Sequence, residues 1–211
     1  MTMTNEPVDK TDATEPSTAG TKYADRLTRL SGQRWKQALD VQAPYRRNIQ
    51  RLTLGKTLDV GCGIGRNLAY LSKESVGVDH NPHSIQVARD RGLDAYTTDE
   101  FFDNPQVAVK GGYDALLAAH LVEHMPLDQT VEIMESYLPF LKDGARCVFI
   151  CPQEMGYKTD DTHVLFADFA VLQEVCGRLG LKFEYEYSFP FPRVVGKVFP
   201  YNEFVVVSRK G

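Results

Sequence analysis

The chain is predicted to form one α/β domain built on a mostly parallel sheet, on three observations. Strand-like and helix-like segments alternate from Lys56 onward, the strand-like segments in the middle are apolar throughout, and a glycine turn follows the first of them. A length of 211 residues suits a single core of this kind. Hydrophobic residues make up 43% of the chain and charged residues 25%, ordinary values for a folded protein that narrow the class no further. The net charge of -4 argues against the broad basic face that a nucleic-acid-binding protein presents.

The first twenty residues, MTMTNEPVDKTDATEPSTAG, are rich in Thr, Asp, Glu, Pro and Ser, and they bury too little apolar surface to offset the entropy of ordering. Residues 1–20 are therefore expected to be a disordered tail. They hold no apolar signal segment, and no stretch is long enough to span a bilayer, so a cytoplasmic protein is expected. Residues 21–211 are expected to form the domain. Within 21–54, Leu27, Leu30, Trp35, Leu39, Ile49 and Leu52 have helical spacing, with Pro44 as punctuation. Two helices should cap the main fold there, and they are candidates for a lid hinged near Gly32 and Pro44.

The core then runs in order. TLDVGC is a strand, NLAYLSK a helix, SVGVDH a strand, and PHSIQVARDRG a helix opened by proline and closed by glycine. DAYTTD and YDALLAAH are strands, PLDQTVEIMESYLPFLKDG a helix, ARCVFICP a strand and FADFAVLQEVCGRLG a helix. LKFEYEYSF and EFVVVSRK are strands joined by PFPRVVGKVFPYN, too short for a helical crossover, so they should pair antiparallel. Cys62, Cys147, Cys151 and Cys176 lack paired zinc-ligand spacing. In one strand Cys147 and Cys151 would lie roughly 13 Å apart, beyond disulfide reach, so buried thiols are expected.

The run Asp59, Val60, Gly61, Cys62, Gly63, Ile64, Gly65, Arg66, Asn67 sits where a strand ends, the place where open α/β sheets bind ligands. Its spacing is GxGxG, and Arg66 stands where a dinucleotide fingerprint would have its third glycine. The next strand ends in Asp79 and His80, with a carboxylate placed to accept from two ribose hydroxyls. The one after ends in Thr98, Asp99, Glu100 and Phe101, where a carboxylate can accept from an adenine amino group and a ring can cover the base.

DVGCGIGRN, GVDHN, TTDEF and YDALLAAHLVEHM, in this order, resemble the successive motifs of class I S-adenosylmethionine (SAM)-dependent methyltransferases, over roughly Leu54 to the C-terminus. The resemblance implies a Rossmann-like, seven-stranded sheet with an antiparallel last strand and helices on both faces. It also implies SAM beside Asp59, Gly61, Cys62, Gly63, Gly65, Asn67, Asp79, His80, Asp99, Glu100, Phe101 and Ala119. Arg66 departs from the pattern and faces either the cofactor carboxylate or solvent.

Methyl transfer from a sulfonium needs alignment and an acceptor in its reactive protonation state, and an alcohol acceptor needs a base or a metal. His120, Glu123 and His124 follow the YDALLAAH strand. At helical spacing they would form an N/O/N set for a divalent cation such as Mg2+, or hold a base; alternatively Glu123 and His124 only cap a helix. Some quinone and macrolide-sugar methyltransferases of this family hold a metal with a carboxylate and histidine here. In GYKTDDTHVLFAD, His163 is a second candidate for the base or for completing a metal site, with Asp160 and Asp161 beside it. Tyr157, Tyr201 and Asn202, together with Tyr23, Arg26 and Tyr45, are candidates for an acceptor pocket.

These features favour O-methylation of a small sugar or oligosaccharide, with an overall similarity to actinobacterial methyltransferases of polysaccharide and methylmannoside biosynthesis. A quinone or phenol methyltransferase and a noncatalytic SAM-binding module stay open, as does a homodimer. The Asn/Asp-Pro-Pro-Tyr/Phe motif of nucleic-acid methyltransferases is absent, AHLVEHM standing in its place.

Overall fold

The computed structural model describes residues 42–211. The expected tail, the helical segment from Tyr23 to Leu39 and the pocket candidates Tyr23 and Arg26 lie outside the described residues. Helix α1 (Ala43–Arg51) carries Pro44 in its first turn, where proline's missing N–H costs nothing.

Seven strands follow: β1 (Thr57–Val60), β2 (Val76–Asp79), β3 (Ala95–Thr97), β4 (Tyr113–Ala119), β5 (Leu141–Pro152), β6 (Lys182–Phe189) and β7 (Glu203–Arg209). Helices α2 (Pro82–Asp90), α3 (Thr98–Asp103), α4 (Leu127–Tyr137), α5 (Glu154–Tyr157) and α6 (Phe169–Arg178) stand between them. The sheet order is β3-β2-β1-β4-β5-β7-β6. Pairs among β1 to β5 are parallel, while β7 runs antiparallel to both β5 and β6. The expected α/β architecture, with its antiparallel last strand, is the observed one.

Alternate residues of the strands feed two cores, which is why the strands read as unbroken apolar runs. On one face Leu58, Val60, Leu116, Ala118, Cys147, Phe149, Phe204 and Val206 pack with Met134 and Tyr137 of α4 and Leu172 and Val175 of α6. On the other, Ala115, Leu117, Ala119, Val148, Ile150, Val205 and Val207 pack with Ile49 and Leu52 of α1 and with Leu54. All four cysteines are buried and free. Among the described residues no helix is long and apolar enough to cross a membrane.

Three expected elements differ, one of them the helix expected through Gly144, which ends at Tyr137 and yields Leu141–Gly144 to β5. NLAYLSK forms only a 3-10 turn, Leu68–Tyr70, before Leu71 returns to extended backbone. Gly61, Gly63 and Gly65 before it have φ of 75°, 53° and 75°, a left-handed geometry that cannot pass into a right-handed helix until the turn is complete, and the chain must still reach β2. DAYTTD ends as a strand at Thr97, whose side chain accepts from the Glu100 N–H while Glu100 bonds back to Thr97 N, a capping box that starts α3.

That early turn sends Phe101 inward. It is fully buried, with ring centroids 5.4 Å from Phe102, 5.7 Å from Tyr137 and 5.1 Å from Phe140. Phe101→Ala is expected to lower the unfolding free energy by about 3–5 kcal/mol, read as a shift of the urea midpoint at unchanged slope.

Candidate active site

The glycine turn is fastened to β2 by its own backbone. Gly61 N and Cys62 N both donate to the Val78 carbonyl, at 2.8 and 3.1 Å, and Gly63 N donates to Asp79 Oδ2 at 2.8 Å. Arg91, at the end of α2, donates to the Ile64 carbonyl at 2.6 Å. The other Asp79 oxygen accepts from Asn81 N at 2.8 Å, and His80 Nδ1 lies 3.5 Å from it. A carboxylate offers about four acceptor positions. Two are taken by these N–H groups, so the expected role of Asp79 toward a pair of hydroxyls stays within its capacity.

Asp59, at the end of β1, is 1% exposed and its Oδ2 has no hydrogen-bond partner among the described residues. Burial first, and then the charge of Asp79, push its carboxyl up to about 7. An orphaned buried carboxylate beside a glycine turn suits a cationic ligand, and SAM carries both an ammonium and a sulfonium; the residues present fit that group. Cys62 turns its side chain away, toward Leu68, Ile85 and Ala88, so only its backbone can face a ligand. Burial, followed by Asp59, holds its thiol well above the ordinary range.

The third expected contact point is only partly in place. Asp99 is exposed in the first turn of α3. Glu100 is committed to its capping box and to Arg89 Nη2 at 2.6 Å, and hydrogen bonds from Arg89 first hold its carboxyl below the ordinary value. Phe101 is core and has no face to offer a base, because the chain turns into α3 two residues earlier than the strand reading assumed.

Beyond β4 the expected set of His120, Glu123 and His124 splits. His120 adopts φ 58°, and the only turn is 3-10 at Val122–His124, so the three side chains do not share one helical face. His120 instead lies between two carboxylates, with Nε2 2.9 Å from Glu203 Oε1 and Nδ1 3.3 Å from Glu123 Oε1. Burial works against its cation, but Glu123 and Glu203 outweigh it and raise the imidazole to about 9. At neutral pH it is an imidazolium clamp, not a vacant base.

Burial likewise disfavours the charge of Glu123, yet His120 and then His124 more than offset this and lower its carboxyl. Cys151 lies beside it, its thiol driven well up by burial and then by the charge of Glu123.

His120, Ala119, Asn67, Arg66, Tyr45, Asn48, Tyr201 and Glu203 line one cleft. Tyr45 Oη donates to the Tyr201 carbonyl at 2.6 Å, which closes α1 against the β6–β7 connection. Arg66 therefore faces this cleft. Asn202 reaches it only in part: its amide bonds to Gln153 Oε1 at 3.0 Å, to Ser188 Oγ at 2.9 Å and to Phe191. Its work is to pin the connection onto the end of β5. Glu203 is the residue the sequence reading missed, and its one signal is a carboxylate opening the apolar run EFVVV.

His124 and His163 are not among the cleft residues; they meet each other, with ring centroids 4.8 Å apart. The loop after α5 is laid there by Val164 N and Leu165 N, both bonded to the Glu123 carbonyl. Tyr157 stacks on His163 at 5.3 Å and so belongs to this second cluster. Burial, more than anything else, lowers the His124 imidazole.

Comparison with known proteins accords with this architecture. Residues 58–147 match the model of a methyltransferase domain family. No curated protein matches the sequence. A SAM-dependent methyltransferase from Archaeoglobus fulgidus superposes with a TM-score of 0.58 at 19% identity, over 79% of this chain and 93% of that one. Magnesium protoporphyrin IX methyltransferase from Synechocystis, solved with bound S-adenosylhomocysteine (SAH), gives 0.63 at 13% identity, over 93% and 98%. A TehB-like SAM-dependent methyltransferase from Corynebacterium glutamicum gives 0.62 at 17% identity, over 91% and 100%. The methyltransferase-domain match over residues 58–147, from β1 into β5, and the fold around it are what the chain shares with SAM-dependent methyltransferases.

Proposed function

We propose that the protein methylates a hydroxyl of a small polar acceptor, a sugar or oligosaccharide, bound against His120 and Glu203. The observation that carries this reading is the cleft wall. Tyr45, Asn48, Arg66, Asn67, His120 and Glu203 present hydrogen-bonding groups of both kinds. A lipophilic quinone or phenol would strip water from these groups without replacing its bonds, at a cost of about 1–3 kcal/mol for each neutral group.

SAM, when bound, supplies a methyl group already activated on sulfonium. The chain's part is alignment and proton removal. The Glu203 carboxylate accepts a hydrogen bond from the acceptor hydroxyl and takes its proton as the oxygen–carbon bond forms and the sulfur–carbon bond breaks. His120, donating to Glu203 Oε1, fixes that carboxylate and is a positioning residue. Its rigidity comes from the second contact, to buried Glu123. Asp59 and the glycine turn hold the cationic end of the donor, and Asp79 holds its hydroxyls.

Three outcomes follow from these roles. Glu203→Gln is expected to lower kcat on a saccharide acceptor by about 100-fold or more, the usual worth of a general base, with the Kd for SAH within about threefold of wild type; unchanged turnover in a saccharide screen would remove Glu203 from the mechanism, and hits confined to apolar phenols would reassign the acceptor. Asp79→Ala should weaken SAH binding by about 10–100-fold, the loss of charge-assisted hydrogen bonds, in a calorimetric titration.

Asp59 adds a pH signature. Its folded carboxyl, at about 7, stands above the ordinary 3.8, so protonation favours the ligand-free fold. That contribution is complete below about 3.8 and is lost as pH rises through about 7. Between pH 8 and 5.5 the ligand-free wild type should gain about 2 kcal/mol of unfolding free energy over Asp59→Asn, measured by urea denaturation. SAM should bind wild type more weakly at the lower pH, because the proton must leave before the cation is paired.

A further inference from the structure

We infer that Glu123, His124 and His163 form a binding site for a divalent transition-metal ion of zinc's class, separate from the acceptor cleft. One donor atom from each residue lies within 4.8 Å of the others. Two donors on one zinc ion at about 2.1 Å cannot be more than about 4.2 Å apart, so the cluster must close by at least about half an ångström, within reach of side-chain adjustment.

The supporting hydrogen bonds set both histidines for this task. His163 Nδ1 lies 2.8 Å from the Tyr157 carbonyl, which can only accept, so Nδ1 carries the proton and the lone pair is on Nε2. Thr162 Oγ1 donates its single hydrogen to Asp160 Oδ1 at 2.8 Å and therefore accepts from His124 Nδ1 at 3.1 Å, which fixes the same tautomer. Metal-binding histidines are held in this way, with the second nitrogen donating to a carbonyl or to a carboxylate-linked group.

Glu123 is the independent observation. It is fully buried, and neither carboxylate oxygen has a hydrogen-bond partner among the described residues. The His120 ring lies 3.3 Å from Oε1 as an ion-pair contact. The His120 cation offsets the charge on the Oε1 side, and the bare Oε2 is an oxygen that a second cation can hold. Two imidazoles and one carboxylate suit zinc, cobalt or nickel and not magnesium, which prefers oxygen donors and keeps its waters. Three protein ligands leave a fourth position open, and the partial exposure of His124 and His163 gives an ion its way in. His120 has no place in this set, its nitrogens being turned to Glu203 and Glu123.

The test is direct titration of the tag-free protein, stripped with chelator and dialysed, with no acceptor or SAM present. Its outcome is thus independent of the proposed reaction. Cobalt should bind one to one and develop visible d–d bands that zinc displaces, while magnesium leaves the spectrum unchanged. His163→Ala and His124→Ala should each weaken zinc by more than the roughly 10–100-fold typical of losing an outer-shell partner, and Thr162→Val by about that amount. His120→Ala should not weaken zinc, because it removes a cation that competes for Glu123. Circular dichroism establishes that each variant is folded. Absence of stoichiometric cobalt or zinc binding to wild type overturns the site, and so does undiminished binding to folded His163→Ala.

Discussion

Strand direction governs the site. In a parallel sheet the carboxyl ends of β1, β2 and β4 lie along one edge, and Asp59, Asp79 and His120 arrive there because each lies within a residue of its strand's end. An antiparallel strand delivers its first residue to that edge in place of its last. β7 pairs Glu203 with Pro152 at the end of β5, and this reversal brings a carboxylate within 2.9 Å of His120 across 83 positions of sequence. Without the reversal the cleft would lack the Glu203 carboxylate.

The same edge explains the cost accepted at Asp59. The glycine turn must approach a ligand closely, so it gives up side chains and right-handed backbone at three positions and gains its hold from N–H groups bonded to β2. One of those bonds reaches Asp79, while Asp59 Oδ2 has no partner among the described residues. In the proposed role, this unpartnered oxygen is the one that the donor's positive charge would relieve.

Much of the fold was legible in the sequence because strand and helix periods, Pro82, Gly92 and the short last connection are local signals. The capping box Thr97-Thr98-Asp99-Glu100 was local as well, and reading it would have moved Phe101 from the site to the core. The helix expected at NLAYLSK is a single 3-10 turn, Leu68–Tyr70, a difference that the helical spacing of its apolar residues does not show. His120 was a different case. Its spacing to Glu123 and His124 fits a helix, but a positive φ at a non-glycine residue is a tertiary outcome, sustained here by two carboxylates. No local pattern marks Glu203 as their partner, or His163 as the neighbour of His124.

Glu123 joins the two halves of this chemistry. One side of its carboxylate steadies His120, and through it Glu203 in the cleft; the other faces His124 and His163. Its backbone carbonyl meanwhile anchors the loop that carries His163, by bonds of 2.8 and 3.1 Å. A charge placed on the His124 side is thus felt at His120 without any movement of the chain, because the interval is a single buried carboxylate in a low-dielectric layer, where Coulomb interactions are several-fold stronger than in water. The proposed fixing of Glu203 and the proposed ion at the histidine cluster would share that one side chain.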